Sequence, residues 1–316
     1  MPLRARHWIW LASSPLILLY GLVTTVLVVN VRDRENFGSF VYRLMALLGC
    51  FDLAVLVHAA WYQSLSVALG YPVFGDAFAH GMVLVSMTAS TYTNIIQAVI
   101  GLNRMTAVIC FSRYFQLWNT VTEVATVTAL LSLGAFISYL YWLSYRFVVV
   151  VDAASAAFLS LNVTTLHTRV DYALSTHALL TIVCGLLVTA AYAAAVAQLK
   201  RLSVEAEQSE QERALTLVGL AGALSFLAVT CMEIVVHAMQ AYGDAATTAT
   251  VESRSQSCSR LFDNRFVQTV RALSLCMVWY YASNPVLYLA LDGNLRRKVQ
   301  QVLRMGSALE VRPFAS

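Results

Sequence analysis

The chain has 316 residues, 59% of them hydrophobic and only 12% charged, with a mean hydropathy of +0.66. That balance excludes an ordinary soluble protein, and apolar runs able to cross ~30 Å of hydrocarbon leave no room for a separate soluble domain. The net charge of +4 comes mostly from arginines flanking those runs, which fits lipid headgroups and an intracellular partner and disfavours nucleic acid.

Seven membrane-spanning helices are predicted, at about 8–31, 40–66, 78–110, 122–147, 173–199, 214–240 and 266–291. The fold class expected is an all-α, seven-helix membrane bundle over residues 1–291, followed by a cytosolic helix and tail over 292–316. The first span begins at Trp8, after Arg4 and Arg6, and is longer than the apolar part of a signal peptide, so it reads as a retained signal anchor. The second span carries Asp52 between Gly49-Cys50-Phe51 and a run of five aliphatic residues, with His58, Trp61 and Tyr62 at its outer end. An ionisable group inside a span costs several kcal/mol unless partnered, and no Lys or Arg is near Asp52 in sequence. Thr93 and Asn94 of the third span and Asn284 of the seventh are therefore its expected partners, in a hydrated polar centre where a sodium ion is a candidate occupant. A protonated Asp52 that ties helices together by hydrogen bonds explains the same residues.

The third span ends at Asn103-Arg104, where an arginine either snorkels to the headgroups or packs inward as a switch. Segment 200–213, which begins at Lys200-Arg201 and ends at Arg213, is rich in helix formers and should extend the fifth and sixth helices into the cytosol. Segments 148–172 and 241–265 are read as outer loops. Glu233 and His237 are i, i+4 neighbours in the outer half of the sixth span, and Arg271 opens the seventh. With His58, Trp61 and Tyr62 they outline the mouth of an outward-facing pocket.

The seventh span ends in Asn284-Pro285-Val286-Leu287-Tyr288. Proline removes a backbone donor and opens the helix locally, Asn284 stands beside that lesion, and Tyr288 lies one turn on along the same face. Asp292-Gly293-Asn294 then interrupts the helix. Beyond it Leu295, Val299 and Val302 repeat at i, i+4 and i+7 among Arg296, Arg297, Lys298 and Arg304, as in a basic amphipathic helix lying on the inner leaflet.

Thirteen of the 21 Lys and Arg, both lysines among them, fall in the loops that are cytosolic if the N-terminus is outside. The sequon Asn162-Val163-Thr164 then falls outside, as a glycosylated Asn162 must. Of six cysteines only Cys258 lies clearly in an outer loop, so no disulfide framework is implied. No HExxH, paired CxxC, phosphate-binding glycine loop or GxSxG occurs, so neither an enzyme nor a cofactor is expected.

Seven spans, Asp52, Asn103-Arg104 and Asn284-Pro-Val-Leu-Tyr288 followed by a basic helix resemble a rhodopsin-like G-protein-coupled receptor. Arg104 matches the arginine of that family's Asp-Arg-Tyr motif, with Asn103 in place of the acid and Met105 in place of the aromatic. The sixth span lacks the family's tryptophan and proline, and the cysteine pair that joins the third span to an outer loop is missing. Leu102-Asn103-Arg104-Met105-Thr106-Ala107-Val108 with Tyr114 and Trp118 is similar, more narrowly, to nematode serpentine chemoreceptors of the Srg and Srv kind. The resemblance implies a plasma-membrane receptor, in a sensory cilium, that takes a small environmental molecule and activates a heterotrimeric G protein. It implies that Asn103, Arg104, Trp118, Lys200, Arg201 and Arg213 face the G protein, and that Asp52, Thr93, Asn94, Asn284, Pro285 and Tyr288 form the activation switch. Ser86, about five turns before Arg104, sits where amine receptors place an acid, so an amine ligand is disfavoured. Two other readings remain open on the residues: an ion- or proton-coupled transporter using Asp52 and Glu233, and a seven-helix protein that does not signal. Whether the chain pairs with itself or another is left open as well.

Overall fold

A computed structural model describes residues 4–30, 39–63, 65–66, 73–144, 147–152, 157–162, 167–202, 217, 220–231, 235, 280–281, 283–290 and 292–310. Helix α1 covers Arg4–Asn30 and α2 covers Phe40–Leu56, continued by a π-helical stretch at Val57–Gln63. Helix α3 runs from Asp76 to Ile109, 34 residues or about 51 Å, longer than a bilayer core is thick. A single 3₁₀ turn and the short α4 (Tyr114–Leu117) lead into α5 (Thr120–Ser144). Strands β1 (Phe147–Asp152) and β2 (Ala157–Asn162) precede α6 (His167–Leu202). Then come α7 (Leu220–Cys231), α8 over residues 280–290, with residue 282 undescribed, and α9 (Gly293–Glu310).

Three of these helices, at Ala77–Ile109, Thr120–Leu140 and Leu179–Gln198, are long and apolar enough to cross a membrane, and Ser14–Asn30 and Leu220–Cys231 are shorter apolar helices. The molecule is thus a mainly helical membrane protein. The second expected span is not one uniform helix. Its C-terminal part widens into the π-helical stretch, which changes the direction in which Trp61 and Tyr62 leave the axis.

Segment 148–172, read from sequence as a loop, holds the hairpin and the start of α6. Phe147 pairs with Asn162 and Asp152 with Ala157 in antiparallel register. The run Val148–Val151 suits a strand by its β-branching but does not alternate, so the period that marks a half-buried strand is missing. The expected helical bundle stands, and among the described residues it carries one short two-stranded hairpin that the sequence reading did not include.

Helix α3 is the hub, packing against α2, α5 and α6. Small residues set the close approaches. A Cβ on Gly134 of α5 would overlap the ring of Tyr92 on α3, and one on Gly49 would overlap Thr24. Gly101 brings α3 against Ala191 and Tyr192 of α6. Tyr92 is further fixed by its hydroxyl, which donates to the Leu131 carbonyl at 2.9 Å, and by stacking on Phe51 at 4.3 Å. The core they enclose is centred on Tyr20, Tyr42, Leu44, Leu48, Ile96, Phe226 and Tyr280. By contrast α5 turns Val121, Leu133, Phe136, Tyr139 and Trp142 outward, the pattern of a helix with hydrocarbon on its far side.

Helix α9 begins at a joint. Asp292 accepts hydrogen bonds from the backbone N–H of Asn294 and Leu295 at 2.9 and 3.0 Å, an N-terminal cap, while its other oxygen accepts from the Tyr42 hydroxyl at 2.6 Å. Of the expected apolar stripe, Leu295 and Val299 are buried in the bundle core. Val302 and Leu303 are exposed, so only the later part of α9 is left for a membrane surface.

Candidate functional site

Asp52 is fully buried in the middle of the bundle and holds three side chains from three other helices. The Tyr20 hydroxyl of α1 donates to Oδ2 at 2.5 Å, the Thr93 hydroxyl of α3 donates to Oδ1 at 2.8 Å, and Asn284 Nδ2 of α8 donates to Oδ2 at 3.2 Å. A carboxylate offers about four lone-pair positions, so three neutral donors nearly saturate it. They also repay desolvation that would otherwise cost several kcal/mol. Asn284 Oδ1 is buried with no hydrogen-bond partner among the described residues. Pro285, beside it, is also buried, and Tyr288, one turn on, is buried in the same core.

Two of the expected partners, Thr93 and Asn284, therefore do converge on Asp52. The third does not: Asn94 points one residue further round α3 and donates to Thr181 Oγ1 of α6 at 3.0 Å. Tyr20 was not foreseen, because a tyrosine in an aliphatic run reads as packing. Its hydroxyl was the clue, since a buried phenol requires a partner. Gln97, one turn beyond Thr93, donates to the Tyr280 hydroxyl at 2.7 Å and extends the polar seam between α3 and α8. A sodium ion fits this arrangement poorly, because O–H and N–H groups aim hydrogens at positions a cation would need. Among the described residues no group of three or more His, Cys, Asp or Glu gathers elsewhere as a metal site.

The second cluster lies at the far end of α3. Arg104 is fully buried, so it does not snorkel. Its Nη2 donates to Asn103 Oδ1 at 2.7 Å, and more distantly to the Tyr114 hydroxyl and to Ser39 Oγ, both at 3.4 Å. Asn103 Nδ2 also donates to the Tyr114 oxygen, at 3.2 Å. The missing acid is thus replaced by an amide oxygen and a phenol. Trp118 closes the knot: its indole N–H donates to Thr106 Oγ1 at 2.7 Å, and its ring lies 5.2 Å from that of Phe40. Beside it Arg43 of α2 and Glu123 in the first turn of α5 form an ion pair.

The expected outer pocket is only partly described. Glu233, His237, Arg271 and Arg213 lie outside the described residues. Lys200 and Arg201 fall in the last turn of α6, whose side chains there are not described either. Asn162 ends β2. His58 and Tyr62 are buried and stacked at 5.9 Å, and the Tyr62 hydroxyl donates to the Val73 carbonyl, so these two pack rather than line an opening. Trp61 is 42% exposed and donates to Ser14 Oγ on α1. Ser86 is half-buried on α3. A groove of about 450 Å³ lies elsewhere, on the outside of the bundle between α2, α3 and α5, near Phe51, Ala54 and Thr88.

The family model described as Srg family chemoreceptor matches residues 13–299, a stretch that includes both clusters and the groove. No curated protein matches the chain.

Proposed function

The chain belongs to the Srg family of chemoreceptors, and from that premise we propose that it is a seven-helix receptor, N-terminus outside, that couples ligand binding to a heterotrimeric G protein. Asp52, Thr93, Asn284 and Tyr288 form the relay, with Asn94 and Pro285 in its surroundings. Arg104 is the element released to the partner. Asn103 and Trp118 hold it at rest, and Lys200, Arg201 and Arg213 add charge around the cytosolic opening. Glu233, His237 and Arg271, near His58, Trp61, Tyr62 and Ser86, shape the outward-facing ligand site. The plasma membrane of a sensory ending is the matching location.

The observation that supports this reading best is the state of Arg104. A guanidinium with no exposed surface costs several kcal/mol to keep buried, and moving it into an open cytosolic cleft recovers that cost. Ligand can favour the released form only by binding it more tightly than the resting one. Recruitment of an engineered G-protein α subunit, read by energy transfer across a chemical panel, tests the assignment in cells. The wild-type chain should respond to at least one compound, and Arg104→Ala should lose that response at equal surface expression. An undiminished response in the variant removes Arg104 from the coupling role.

A further inference from the structure

We infer that the groove between α2, α3 and α5 is a ligand site entered from the bilayer, built for a neutral and mostly hydrocarbon molecule that carries one hydrogen-bonding oxygen. The inference deepens the receptor reading and rests on it for the membrane setting. Ala54 and Ala89 are small lining residues of a hollow of about 450 Å³, within the range that holds a small ligand. Phe51 and Trp142 supply flat apolar walls, and Val85 stands at the rim. Trp142 is 64% exposed and Val85 49%, on the same outer surface as Phe136 and Tyr139. The opening therefore faces the side of the bundle that meets hydrocarbon.

The chemistry of the lining selects the occupant. No carboxylate, amine or guanidinium is present, so a charged molecule would enter without compensation, at a cost of several kcal/mol. Four residues bring polar atoms: Cys50, Thr88, Ser138 and, through its indole N–H, Trp142. The Ser138 hydroxyl is already spent on the Gly134 carbonyl at 2.6 Å, and a thiol is a weak partner. Of the lining hydroxyls only that of Thr88 is engaged by no side-chain hydrogen bond among the described residues, which keeps it for a guest.

The groove also has a direct path to the polar centre. Phe51 immediately precedes Asp52 on α2, and Ala89 lies one turn before Thr93 on α3. A guest seated against Phe51 and Ala89 therefore bears on the two helices that carry the Asp52–Thr93 hydrogen bond.

Photolabelling of the full chain in phosphatidylcholine nanodiscs tests this, with three diazirine probes of equal chain length: a primary alcohol, the matching carboxylic acid and the matching alkane. The alcohol should label peptides around Cys50–Ala54, Val85–Ala89 and Trp142 at least fivefold more than the peptide around Phe136, which faces the same bilayer. The acid and the alkane should show no such preference. Ala54→Trp, which fills the hollow, should remove the preference for the alcohol. Thr88→Val should reduce alcohol labelling severalfold while leaving alkane labelling unchanged, which also reports that the variant is folded. Equal labelling by alcohol and alkane in the wild type means that ordinary lipid chains cover the face, and it overturns the inference. So does a preference that survives both substitutions. Neither result touches the coupling role of Arg104, which is read separately by G-protein recruitment.

Discussion

Asp52 and Arg104, two fully buried ionisable side chains about fifty residues apart, are held differently. Asp52 is gripped by Tyr20, Thr93 and Asn284, side chains from three other helices that lie 32, 41 and 232 residues away. Among the contacts described for Arg104 the shortest is to Asn103 next to it, with Tyr114, ten residues on, and Ser39, 65 residues back, both at 3.4 Å. Long-range ties such as the first set make a helix bundle one body. Short-range ties such as the one to Asn103 can be undone by a local change and leave the bundle standing. On the proposed function, the Asp52 carboxyl group ties together the helices of the relay and the Arg104 guanidinium is the part released.

Substitutions at the two sites test that contrast. Arg104→Ala should have the largest effect, loss of ligand-evoked recruitment by more than tenfold, with thermal stability in nanodiscs nearly unchanged. Asp52→Ala should come next and act the opposite way. It leaves three inward donors without an acceptor, and costs about 3 kcal/mol of stability in a thermal unfolding assay. Gly134→Leu forces a side chain into the Tyr92 ring and should destabilise by about 1–3 kcal/mol, seen as reduced surface expression and a lower melting temperature. Tyr114→Phe should raise basal recruitment about two- to fivefold with little loss of stability, because it removes one of the uncharged groups around Arg104. Tyr20→Phe should cost about 1 kcal/mol without raising basal activity. If Tyr114→Phe proves as destabilising as Tyr20→Phe and leaves basal recruitment flat, the two regions do not differ in kind.

Much of the polar centre was readable because charge inside an apolar run is a demand for partners. Asp52 made that demand, and the few polar side chains at its depth were a short set of answers; Thr93 and Asn284 met it. Asn94 did not, since adjacent residues on a helix are turned about 100° apart and only one can face α2. Tyr20 escaped notice because its ring is indistinguishable from packing until the hydroxyl's partner is sought. The Arg43–Glu123 pair joins residues eighty positions apart that each look like ordinary helix-end charges. The groove was invisible for another reason: its lining is ordinary apolar and small side chains spread over three helices, and a hollow has no residue of its own. The hairpin was missed because four consecutive valines suit a strand and an apolar span equally.

The joint at Asp292 has a mechanical consequence. One carboxylate both starts α9 and moors it to Tyr42 on α2, so the two helices share a bearing. A swing of α2 that carries Tyr42 away by more than an ångström or so either drags the first turn of α9 with it or uncaps that turn. Leu295 and Val299, locked into the core, resist the second outcome. Tilting of α2 is therefore transmitted as torque to a rod whose far end bears Arg304 and the exposed Val302 and Leu303.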